Sequence, residues 1–205
     1  MKTAEPISAL GNYPELATRV GIVIADYALL EYQMFILYAA LSPKNPAESF
    51  SKFYQYISAN NKTGLILREA KNVLSETSYK ALDRLCDRFK KAANRRTEIA
   101  HCVFVSGDNS ALMRLRLVRN EPRFEELNHQ LIDRTINQYR SLSIDVSAFL
   151  TTVVKTPAEL LHILHALPRA PHQETLVVPV PLGLQMQLTS SEIEASLSRQ
   201  GLLRR

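Results

Sequence analysis

The stretch FKKAANRRTEIAHCVFV, Phe89 to Val105, decides how this chain folds. It reads as the last turns of a long basic helix giving way to a short β-branched run. Apolar residues fall at Leu82, Leu85, Phe89, Ala92 and Ile99, in steps of three, four, three and seven. That is the inward stripe of an amphipathic helix. The step of seven passes over a slot due another apolar side chain, and Arg96 stands there. Burying an unpaired charge is costly. Arg96 therefore meets an anion or a second chain, or this part of the helix borders a wet cleft. Five residues on stands His101, the side chain best suited to moving protons near neutral pH.

Around that stretch, 205 residues suffice for one good core and an appendage. The composition, 46% hydrophobic and 22% charged with only six glycines, is that of a globular chain favouring helix over sheet. The formal charge of +5 permits a polyanionic partner, and its distribution says more than the total. Arg84 to Arg96 holds six basic residues against one acid, and Arg114 to Arg123 holds four Arg against one Glu. Cys86 and Cys102 are too few for a disulfide framework or a four-thiolate zinc site, so reduced thiols and a cytoplasmic location are expected. Val20 to Leu41 is strongly apolar, but Asp26, Glu31 and Gln33 interrupt it. It is expected as a buried helix, with no membrane partner.

Taken in order, Pro14 suits a first helical turn and Ser42-Pro43 a stop, which predicts a first helix to Leu41. Asp26 and Glu31 either lie on its thin polar face, or Glu31 approaches Arg96 and balances its charge. Helical spacing predicts a second helix over Pro46–Ser58 and a third from Lys62 to Leu74 after a break at Asn60-Asn61. A fourth follows the capping cluster of residues 75–78 and runs to Ala100. Val103-Phe104-Val105 and Leu112–Val118 flank Ser-Gly-Asp-Asn-Ser, a hairpin signal. There Arg114 and Arg116 fall on one strand face, either to contact phosphates or as the polar outer face of an edge strand. Pro122 is expected to open a fifth helix reaching Lys155. Residues 1–155 thus read as a mainly α, up-and-down helical bundle with a small β-hairpin. Residues 156–205, with scattered prolines and a Thr189–Glu192 capping box, read as an arm packing on the core or on a partner subunit. His162 and His165 have a metal-compatible spacing but no further ligands to complete a site, so neither metal nor cofactor is expected.

The sequence has no Gly-rich phosphate loop, dinucleotide fingerprint or nucleophile elbow. An Arg and a His beside basic surface remain. The residues Arg96-Thr97-Glu98-Ile99-Ala100-His101 resemble the Arg–x(4–6)–His motif of HEPN domains, small helical bundles found in RNA-cutting systems. The motif covers six residues, and the helical layout around it is compatible with the family over residues 14–155. The resemblance implies that Arg96 and His101 form the catalytic pair of a metal-independent endoribonuclease completed by dimerisation. A toxin or defence role, with an antitoxin or other protein partner, is implied with it. The family commonly has Asn, or another short polar residue, where Thr97 stands, and the departure from Asn keeps open a second reading: a non-catalytic module binding RNA or a nucleotide, or serving dimerisation.

RNA supplies its own nucleophile in the 2′-hydroxyl, so proton transfer by His101 and charge stabilisation by Arg96 would suffice. Positions five apart on a helix diverge by about 140°. The pair converges only where the helix ends between them, or where a C2 partner brings its own pair across one cleft. Thr97 and Glu98 lie on the His101 side and are expected to orient the imidazole. Arg95, Lys91, Arg114 and Arg116 are the expected RNA contacts.

Overall fold

The computed structural model describes residues 9–100, 103–106, 112–118, 121–154 and 156–165. A 3-10 turn at Ala9–Asn12 leads into α1 (Pro14–Leu41), α2 (Pro46–Tyr54), α3 (Ala59–Ala70) and α4 (Glu76–Ala100). Strands β1 (Val103–Ser106), β2 (Leu112–Val118) and β3 (Glu121–Glu126) follow, then α5 (His129–Val153) and α6 (Pro157–His165). The described chain is mainly helical. It forms two compact units, one drawn from residues 1–32 and 84–142, the other from 33–83 and 143–205.

The first unit is built on three helical segments and the sheet. Along α4, Leu85, Phe89, Ala92 and Ile99 are buried, as the stripe requires, and so is Leu82 in the part of the helix that belongs to the other unit. Phe89 stacks on Tyr27 of α1, with ring centroids 5.7 Å apart and planes 10° from parallel. Tyr27 in turn meets Tyr139 of α5 at 6.1 Å. Two ion pairs tie α1 to α5: Arg19 with Asp133, and Asp26 with Arg140 at 3.5 Å. Asp26 thus has a cationic partner 114 residues away in sequence.

In the sheet, β2 is central and antiparallel to both neighbours. Phe104 registers opposite Arg114, Arg114 opposite Glu125, and Arg116 opposite Arg123. The residues between β1 and β2 lie outside those described. β3 corrects the sequence expectation of a helix from Pro122. A proline without an N–H suits an edge strand as well as a first helical turn, and β3 is at the edge. Helix α5 starts later, where the Asn128 side chain accepts the Leu131 amide at 3.0 Å.

The second unit packs aromatics from α1 and α2. Phe35 meets Phe50, Phe53 and Tyr54 with centroids 5.4–5.9 Å apart, and Tyr38 stacks on Phe53. Lys62 of α3 is buried, with its ammonium about 5 Å from the Phe53 and Tyr54 rings. Gln33 Nε2 donates to Ser147 Oγ at 3.1 Å in the interior. Three helix bounds differ from expectation, among them the end of α3, at Ala70 rather than Leu74. α2 ends at Tyr54 rather than Ser58. α3 starts at Ala59 because the Ser58 hydroxyl accepts the Asn61 amide, capping a turn that contains Asn60-Asn61 rather than breaking there.

Helix α1 has the length and composition to cross a membrane. Here its Val23, Leu30, Met34, Phe35, Ile36 and Leu37 are fully buried by protein. Of the arm expected over residues 156–205, only the part up to His165 lies among the described residues.

Candidate functional site

Beside its apolar stripe, α4 carries a polar one: Arg88, Lys91, Arg95 and Glu98, at steps of three, four and three. Such positions share one helix face. Helix α5 carries its own at Gln130, Arg134, Asn137 and Ser141. Within the first unit these stripes line a cleft of about 980 Å³. Its floor is apolar, made by the buried Ala92, Tyr139 and Leu142.

Four cationic side chains, Arg88, Lys91, Arg95 and Arg134, stand in the lining against two carboxylates. Both carboxylates already have guanidinium partners. Glu98 Oε2 takes Arg95 Nη1 at 3.0 Å, and Asp133 is paired with Arg19. The lining therefore carries an excess of positive charge. Arg88 Nη2 also donates to Ser141 Oγ at 3.4 Å, from one helix wall to the other. Pockets for small organic ligands are mostly apolar with few polar groups. This one is an open groove with an apolar floor and a rim of charged and amide side chains, better matched to a charged, extended ligand.

Arg96 is half-buried at its stripe position. Next to it, the Tyr139 hydroxyl donates to the Ala92 carbonyl at 2.8 Å. In an α-helix that carbonyl also accepts the Arg96 amide. Burial raises the Tyr139 pKa; Arg95 and Arg96 pull it down and Glu98 pushes it up. Both guanidiniums are therefore within electrostatic reach of the hydroxyl. Of the expected residues, Arg95, Glu98 and Lys91 line the cleft with Tyr139, whereas Arg96 is not among its lining residues. Thr97 is exposed on α4, and Glu31 is half-buried on α1. His101 lies outside the described residues, and with it the approach of its imidazole to Arg96. Arg114 and Arg116 hold successive same-face register positions on β2.

Sequence reasoning passed over Arg88, Arg134, Tyr139 and the amide side chains of α5. The signal available was the helical spacing of polar residues at 130, 134, 137 and 141. Tyr139 was legible only as a core aromatic.

The Tyr139 proton is held more tightly in the folded than in the unfolded chain, whose phenol has its ordinary pKa of 10.0. The stability it contributes is whole below that pH and falls as pH rises above it. Burial acts likewise on Tyr32, pushed up to about 12. The urea midpoint is expected to drop between about pH 9 and about pH 11, and to drop less in Tyr139→Phe. Equal drops would show that Tyr139 titrates alike in both states.

No family model, curated protein or solved structure matches this chain.

Proposed function

We propose that this chain binds RNA and cuts it without a metal, as a HEPN-type endoribonuclease, with Arg96 and His101 as the reacting pair in a C2 dimer. The observation that supports this most is the α4 wall of the cleft. Arg88, Lys91 and Arg95 line it in successive turns, and the row leads to the turn that holds Arg96. Cations in a row along one helix suit a phosphodiester backbone, whose binding is dominated by such contacts. Arg114 and Arg116 of β2 extend the basic surface in this reading, and Arg123 registers opposite Arg116.

The chemistry follows from the substrate. His101 takes the 2′-hydroxyl proton or protonates the departing 5′-oxygen, and Arg96 stabilises charge on the phosphorane. Thr97, Glu98 and Glu31 support the pair. The protein works in the cytoplasm, as a toxin or defence effector restrained by a protein partner. Burial of the apolar face of α1 in protein supports a core helix in place of a membrane span.

Purified full-length protein incubated with end-labelled RNA in EDTA tests the reading. The expected products carry 2′,3′-cyclic phosphate and 5′-hydroxyl ends. RNA retained without new ends would instead establish the second reading, a non-catalytic binding module. Neither retention nor cleavage would overturn both.

A further inference from the structure

The cleft holds four carboxamides: Asn94 on α4, and Gln130, Asn137 and Gln138 on α5. All four are exposed. Among the described residues, none of their side chains is engaged in a hydrogen bond. A carboxamide places an acceptor oxygen beside a donor nitrogen. That neutral pair matches the adjacent donor and acceptor on a base edge. Cations do something different: they hold phosphates and fix register, but carry no sequence information. The two walls of this cleft therefore differ in balance, with Arg134 the one lining cation on the α5 side and Asn94 the one lining amide on the α4 side. Arg88, Lys91 and Arg95 line the α4 side, and three of the four amides line the α5 side.

We infer that the α5 wall reads bases, so that Gln130, Asn137 and Gln138, with Asn94, select a short sequence in single-stranded RNA whose phosphates run along α4. The inference deepens the RNA reading above and rests on it. Paired RNA does not fit, because the A-form major groove is too deep and narrow for side chains to read. The length of the selected sequence follows from helix geometry. Gln130 and Asn137 are two turns apart, about 10.5 Å along the axis. At ~3.4 Å per stacked nucleotide that spans about three bases.

Selection from a random single-stranded RNA library tests this, with the full-length His101→Ala protein as background so that bound RNA survives. The expected result is enrichment of about three contiguous positions, each by about tenfold. Gln130→Ala/Asn137→Ala/Gln138→Ala is expected to keep its far-ultraviolet circular dichroism and the salt dependence of RNA binding while losing the enrichment. Arg88→Ala/Lys91→Ala is expected to keep the enriched sequence while its salt slope falls by about 2. Asn137→Asp keeps the side-chain shape but loses the donor, and is expected to move one position toward cytosine, whose amino group a carboxylate accepts. RNA bound with no enrichment, or enrichment unchanged in the amide variants, would overturn base reading and leave the amides as hydrated surface. No RNA bound at all would overturn the RNA reading itself.

Discussion

Replacing Arg96 or His101 with Ala is expected to slow RNA cleavage by about 10²–10⁴-fold while RNA retention changes little. The asymmetry follows from where each group acts. A general base or acid lowers only the barrier to proton transfer. A guanidinium aimed at the phosphorane gains most when negative charge builds there. Neither is needed to hold the ground-state strand, which the cations of the α4 wall do in this reading. Single-turnover cleavage beside filter binding separates the two effects. The fold provides a control. Arg96 stands half-buried on an otherwise apolar stripe, so the urea midpoint of Arg96→Ala reads any structural contribution of that side chain separately from the rate. A lost rate with an unchanged urea midpoint would assign the loss to chemistry. Wild-type cleavage by Arg96→Ala would remove the guanidinium from the reacting centre. Arg96→Lys is informative as well, since it keeps the charge but loses the planar fork that meets two oxygens at once.

Periodicity made the helices legible wherever an apolar stripe met a clear stop. The α1 start at Pro14, its end at Leu41 and the buried stripe of α4 all follow from spacing and punctuation. The failures arose where one residue type serves two structures. Pro122 fits a helical first turn and an edge strand alike, and Phe124, Leu127 and Leu131 happen to continue a helical spacing. Only the ladder with β2 separates the two, and pairing across a turn is not local information. Asn60-Asn61 breaks many helices, yet the Ser58 cap places it in the tolerant first turn of α3. At the site, Lys91, Arg95 and Glu98 were readable as a basic helix end. The opposite wall was not. An exposed stripe of Gln, Asn and Ser on α5 looks like any hydrated face until packing turns it toward α4. The same holds for Arg140 beside Asp26 and Arg19 beside Asp133: charge signs are in the sequence, but proximity belongs to the tertiary fold.

Phe89→Ala is expected to destabilise the protein by about 3–5 kcal/mol. Phe89 is fully buried, and its ring lies nearly parallel on Tyr27, which itself touches Tyr139. Truncation removes the buried ring and leaves a cavity against the Tyr27 ring of α1, which Tyr139 of α5 meets in turn. Planar neighbours of that size have few rotamers with which to collapse inward. Against a total stability of order 5–15 kcal/mol, such a loss brings the chain near its unfolding threshold at 37 °C. Phe89→Leu, which fills part of the volume, is expected to cost less. A urea titration of the three proteins measures both differences, and a loss below about 1 kcal/mol for the alanine variant would place the ring outside the core. The consequence reaches the site. Phe89, Ala92, Arg96 and Ile99 share one stripe, and Ala92 supplies the carbonyl that Tyr139 grips. The apolar members of that stripe hold it inward, and Arg96 is half-buried because its neighbours are. Phe89→Leu should therefore bind RNA as the parent does at temperatures where it remains folded. Phe89→Ala should lose binding along the same temperature curve as its helical signal. If binding disappeared well below that transition, Phe89 would be acting on the cleft locally and not through the stability of α4.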